Sequence, residues 1–136
     1  MIMPEEMNIR MMQKDKLCYV CSPYRENGER TVKLHEWYAK WLCDYIAINY
    51  GFTPIAPHLI YPSIWNESDP EGRQRGMECG EEILKKCDIV AVGRDYGISE
   101  GMKSEIELAK SLGKEVVIFE MHYFLVDGIH EAETRN

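Results

Sequence analysis

The 136-residue sequence is short of several things, and each shortage excludes a class of protein. Its apolar stretches end after about five to seven residues, far below the roughly 20 that span a bilayer, so no membrane partner is expected. Basic residues are in the minority: 16 Lys and Arg stand against 23 Asp and Glu, a formal net charge of −7. That deficit argues against a nucleic-acid polymer or an anionic membrane as the main partner. It leaves room for a small phosphorylated ligand, which needs only a local cluster of donors. Internal repeats and low-complexity tracts are lacking, which sets aside solenoids and disordered linkers. A paired cysteine framework is also missing: five cysteines is an odd count in an ordinary globular composition, which fits a reducing, cytoplasmic setting. Residues 1–16 are polar and Met-rich, without the apolar centre of a signal peptide, and are expected to form a flexible arm. One domain over residues 17–126 and a polar tail over 127–136 complete the expected layout.

What is present alternates. Leu17-Cys-Tyr-Val-Cys21 is a short β-prone run stopped by Ser22-Pro23. Between about Arg30 and Tyr50, apolar residues recur at helical spacing (Leu34, Trp37, Trp41, Tyr45, Ile48), and Gly51 stands at the usual C-terminal stop. Phe52–Ala56 reads as a second strand, followed by an irregular loop over 57–69. Loops of that length inside a small domain are usually functional or mobile. Asp69-Pro70 is an N-cap followed by proline at the first helical position, opening a helix to about Lys86. Asp88–Val92 is a third strand, Gly101–Leu112 a helix, Lys114–Glu120 a fourth strand, and Tyr123–Val126 a candidate fifth or a partner contact. Apolar strands alternating with helices predict an α/β, three-layer sandwich around a four- to five-stranded parallel sheet. Ligands in such folds bind outside the carboxyl ends of the strands, which directs attention to the loops after Cys21, Ala56 and Val92.

Three groups of residues there carry chemistry. Ser99-Glu-Gly101-Met102 opens a helix behind a Gly-rich turn, where free N–H groups suit a phosphate and Gly101 allows close approach. Glu105 lies one turn further in, so its carboxylate can face the same crevice; the alternative is a plain cap and a solvated glutamate. On the first loop Tyr19, Ser22, Tyr24 and Arg25 match this set, Arg25 offering a fork of donors to phosphate or carboxylate. On the long loop His58 suits acid–base work or contact with a base, against the alternative of an ordinary hydrogen-bonded loop residue. Cys18-x-x-Cys21 falls inside a strand, where a spacing of three sends the side chains to opposite faces. Neither a metal nor a redox centre is expected from it, and no cofactor is called for. His35, His122 and His130 have no partner spacing and receive no role.

These residues resemble the nucleoside 2-deoxyribosyltransferase superfamily, including its deoxynucleotide N-hydrolases, over roughly residues 17–120. The carriers are Tyr19-Val-Cys-Ser-Pro-Tyr-Arg25, Cys87-Asp-Ile-Val-Ala-Val92 and Ser99-x-Gly101-x-x-x-Glu105. Ala56-Pro-His-Leu-Ile-Tyr-Pro62 together with Ser99-Glu-Gly-Met-Lys-Ser-Glu105 is similar to an uncharacterised bacterial and phage branch. The resemblance implies a flavodoxin-like (Rossmann-like) fold and cleavage of an N-glycosidic bond. It implies that Glu105 acts at the anomeric carbon, that Tyr19 positions it, and that Ser99 and Arg25 meet a 5′-phosphate. It also implies a homodimer or larger assembly. One departure stands out: where the family has an aspartate that helps protonate the leaving base, this sequence has Gly80, with Asp95 or His58 as possible substitutes.

The expected activity is an N-glycosidase on a nucleoside 5′-monophosphate or related nucleotide. A nucleoside deoxyribosyltransferase, a non-catalytic nucleotide-binding module and an interaction domain built on the aromatic loop 57–69 with the segment 121–126 are the alternatives.

Overall fold

In the computed structural model, residues 15–120 are described. Strand β1 (Leu17–Cys21) leads through a loop to helix α1 (Val32–Tyr50), then to β2 (Thr53–Ile55). Two 3-10 turns (Pro57–Leu59 and Tyr61–Ser63) precede α2 (Pro70–Lys86), β3 (Ile89–Gly93), α3 (Glu100–Ser111) and β4 (Glu115–Phe119). All pairings are parallel, in the order β2-β1-β3-β4. This is the flavodoxin-like order, and the chain reverses direction across the sheet between β1 and β3. The expected N-terminal arm (up to residue 14), the candidate strand at 123–126 and the tail lie outside the described residues.

The helix boundaries follow from local chemistry. Thr31 caps α1, its Oγ1 accepting from Leu34 N–H at 3.1 Å, so the helix starts two residues later than periodicity alone suggests. Gly51 closes it with φ 74, a left-handed turn that glycine adopts without strain, and its N–H returns to Ala47 O. Asp69 caps α2 through a 3.2 Å bond from Gly72 N–H, with Pro70 at the first position as read from the sequence. In the loop before it, proline at the start of each 3-10 turn fixes the backbone where no longer period exists.

Alternation along the strands sorts the core into two faces. Cys18 and Val20 join Tyr38, Leu42, Ile46, Tyr50 and Phe119 under α1; Tyr19 and Cys21 join Leu84, Met102, Ala109 and Ile118 under α2 and α3. Cys18 and Cys21 therefore face opposite layers, as their spacing demands. Gly93 ends β3 where α1 comes closest: a Cβ there would lie 2.3 Å from Leu42 Cδ1 and 2.9 Å from the Tyr38 hydroxyl. No described helix is long and apolar enough to cross a membrane.

Candidate functional site

The carboxyl ends of β1 and β3 open into a cleft of about 740 Å³. Its walls come from the loop after β1, the loop 57–69, the inner face of α2 and the start of α3. Tyr19, Ser22, Arg25, His58, Ser99, Gly101, Met102 and Glu105 all line it.

Tyr19 and Glu105 form its floor. Tyr19 sits in the strand core with 4% exposure, and its hydroxyl is hydrogen-bonded to the half-buried Glu105 carboxyl. Burial drives the Glu105 pKa up to about 7, opposed by the Tyr19 bond, which favours the carboxylate. Burial and the neighbouring Glu105 push the phenol far above its usual range, so Tyr19 remains a neutral donor. A carboxyl poised near neutrality in a cleft is the state that nucleophilic or acid–base work requires.

At the next wall Ser22 Oγ and His58 Nε2 share a 2.8 Å hydrogen bond, and Tyr24 packs edge-on against the imidazole at 6.2 Å. Burial, with His35 nearby, lowers the His58 pKa to about 4. His58 is thus neutral at pH 7: it can accept or share a proton but brings no positive charge to the cleft.

The third wall is the start of α3. Ser99 Oγ accepts from Met102 N–H at 3.3 Å, which caps the helix and leaves the hydroxyl hydrogen free to donate. Gly101 has nothing within 4 Å of where a Cβ would stand, so the glycine answers no packing demand and keeps side-chain bulk away from the start of the helix. Met102 has a different part: its side chain is 1% exposed in the core, while its carbonyl takes the Cys21 thiol at 3.9 Å.

Gly80 lies on α2 directly over the floor. A Cβ there would be 3.6 Å from the Tyr19 hydroxyl and 3.8 Å from Pro57 Cβ, ordinary contact distances. Gly76 and Gly72 continue the row outward, with hypothetical Cβ distances of 3.4 Å to Tyr61 Cβ and 3.0 Å to Trp65 Cβ. The glycine face lets the aromatic loop lie close against α2, where Tyr61 and Trp65 stack at 5.6 Å and 9°. Asp95 departs from the expected set. It does not line the cleft, because its carboxylate accepts the Tyr38 hydroxyl proton and its N–H donates back to that oxygen at 3.1 Å.

Other contributors carried no sequence signal. His35 is fully buried under the first loop, and Arg30 lines the cleft. Glu67 also lines it, with one carboxylate oxygen shielded and without a hydrogen bond, 4.0 Å from Arg73 Nε. Among the described residues no group of three or more His, Cys, Asp or Glu is placed to hold a metal.

One solved structure similar to this chain is a 2-deoxyribosyltransferase from the psychrotolerant bacterium Bacillus psychrosaccharolyticus. The likeness has a TM-score of 0.56 at 23% identity and covers 76% of this chain and 72% of that one. At that identity it bears on the fold, which it shares. No curated protein matches the sequence. The profile of a family described as a domain of unknown function, DUF7768, matches residues 16–119, and the chain belongs to that family.

Proposed function

We propose that the cleft holds a nucleoside 5′-monophosphate or a related nucleotide and that Glu105 breaks its base–sugar bond. The observation that carries this reading is the Tyr19–Glu105 pair: a carboxyl with a pKa near 7, held by a neutral phenol on the floor of a cleft at the sheet's switch point. The likeness in fold to a 2-deoxyribosyltransferase agrees with nucleoside chemistry. The phosphate rests on the Ser99 hydroxyl and the first amides of α3, with Arg25 beside it. The sugar faces Glu105, and the base lies among His58, Tyr61 and Trp65.

In its ionised form Glu105 attacks the anomeric carbon. The C–N bond breaks with its electron pair on the base, which takes a proton from water. The hydroxide left by that water then attacks the glycosyl ester, releasing the sugar phosphate and regenerating the carboxylate. Another base in place of water makes the same site a transferase. Tyr19 orients Glu105 through both steps and does not itself ionise.

Gly80 favours a second reading, a module that binds nucleotide without cleaving it, because no side chain at that position can protonate the leaving base. Base release from a panel of ribo- and deoxyribonucleoside 5′-monophosphates, with the parent nucleosides and Glu105→Ala alongside, decides between them. Release that the mutation abolishes supports the glycosidase. Binding by calorimetry with no release supports the module, and neither release nor binding overturns both.

A further inference from the structure

We infer that Arg30, which the sequence does not single out, is the preorganised anion-binding cation of this cleft. Two arginines of the first loop line it, and they are held very differently. Arg25 is exposed. Arg30 has a side chain only 22% exposed and is fixed from three sides. Its Nε donates to His35 Nε2 at 3.4 Å, its Nη2 donates to the Tyr96 carbonyl at 3.3 Å, and its guanidinium lies 4.9 Å over the Tyr96 ring.

The character of these partners matters as much as their number. The fully buried His35 shares a 3.0 Å hydrogen bond through Nδ1 with the Tyr24 carbonyl, which can only accept. Nδ1 therefore carries the ring proton, and Nε2 offers a lone pair to Arg30. A charged imidazole would have no acceptor left; burial and the adjacent guanidinium both hold His35 below its usual pKa. A neutral imidazole, a carbonyl and an aromatic face orient the guanidinium without cancelling its charge. Its ion pair with Glu29 runs through Nη1 at 3.6 Å to a carboxylate 84% exposed, a water-screened partner that a dianion can displace. The guanidinium thus keeps both its positive charge and one edge of its fork for a ligand, with its orientation already fixed.

Its position suits the task. Arg30 ties the first loop, at the end of β1, to the Tyr96 loop, which runs into Ser99 and the first turn of α3. Asn27 sets the turn that presents it, its Oδ1 accepting from the N–H groups of Glu29 and Arg30 at 3.2 and 3.0 Å. The ligand is a phosphoryl group; that it belongs to a nucleotide rests on the function proposed above.

The test uses the full chain, with Arg30→Gln, Arg30→Lys and Arg25→Gln measured by calorimetry. The probes are a nucleoside, its 5′-monophosphate, ribose 5-phosphate and inorganic phosphate. Arg30→Gln is expected to weaken the phosphorylated probes by about tenfold or more while leaving the nucleoside unchanged. Arg30→Lys recovers part of that loss, and Arg25→Gln costs less than Arg30→Gln. In the wild type, the Arg30 side-chain N–H resonances shift on titration with phosphate and not with chloride at equal ionic strength, a reading that needs no variant to fold. Equal losses for nucleoside and monophosphate, or no loss for either, overturn the inference and leave the function above standing. Phosphate binding through Arg30 with no affinity for any nucleotide overturns that function and leaves the inference standing. An unmoved Arg30 resonance under saturating phosphate overturns the inference outright.

Discussion

The two faces of the sheet are built on opposite rules. Under α1 the chain uses bulk: Tyr38, Trp41, Tyr45, Tyr50, Phe52 and Phe119 make a chain of ring contacts, several at 5–6 Å, and the bare Gly93 backbone makes room for Tyr38 and Leu42 of the helix. Over the cleft, α2 uses absence. Gly72, Gly76 and Gly80 sit one turn apart on its inner face, although glycine within a helix costs roughly 1 kcal/mol relative to alanine. A filled face contributes stability, whereas an emptied one leaves room for loops and a ligand. The comparison teaches that weak helix-forming composition in α2 marks the working side of the molecule, and strong aromatic packing marks the supporting side.

The comparison can be broken most forcefully at Glu105. Glu105→Gln is expected to lower base release on the order of 10³-fold while the fold persists, measured by product assay and circular dichroism. The supporting side should respond in the opposite sense. Leu42→Ala, at a 1% exposed position, is expected to cost about 2–5 kcal/mol in denaturant unfolding, and Gly93→Ala about 1–3 kcal/mol or more from overpacking against Leu42 and Tyr38. Activity measured well below the shifted midpoint should survive both.

A third test uses pH. The Glu105 pKa rises from an unfolded value near 4.5 to about 7, so the folded state holds the proton more tightly. Stability linked to this group is complete below about 4.5 and is lost as pH rises through 7. Glu105→Gln should therefore match the wild type at pH 4.5 and exceed it at pH 8 by about 1–3 kcal/mol, after allowance for the partial exposure of the carboxyl. Base release, which needs the carboxylate, should rise with a midpoint near 7. Tyr19→Phe should move that midpoint upward, because the lost donor favoured the charged form.

The smallest effect is expected at Gly80. Its hypothetical Cβ meets only ordinary contacts, so Gly80→Ala should stabilise by up to about 1 kcal/mol through helix propensity. The same change at Gly72, where Trp65 Cβ would lie at 3.0 Å, should gain nothing or lose. Thermal melts of the two variants side by side measure the difference. Gly80→Asp sharpens the point further: with a carboxyl group over the floor, base release should increase if departure of the base limits the rate.

Much of this was legible in the chain before folding. The Asp69-Pro70 start, the Ser99 cap, the Gly51 stop and the alternation of β1 each depend on neighbours within about one helical turn, and each formed as expected. Local patterns also placed the loops after β1, β2 and β3 at one edge, since parallel strands must all end there. The partner of Asp95 is not legible locally, because nothing near it in sequence reveals that Tyr38, 57 residues away, donates its hydroxyl to the carboxylate. His35 and Arg30 carry no local signal for the same reason. A lone histidine on a helix and an arginine in a loop look like surface until burial and the carbonyls of Tyr24 and Tyr96 give them partners.

By itself, the sequence determined the order of the elements, their caps, the parallel sheet and the edge at which its loops gather, because these arise from short-range sterics, hydrogen bonding and the period of apolar side chains. Tertiary structure alone decided which side chains meet in the cleft. Ser22 and His58 are 36 residues apart and Arg30 and Tyr96 are 66 apart, and the parallel pairing of β1 with β2 on one side and β3 on the other brings such groups within a few ångströms. The protonation of Glu105 was decided there too, since it depends on how completely the folded walls keep water from one carboxyl group.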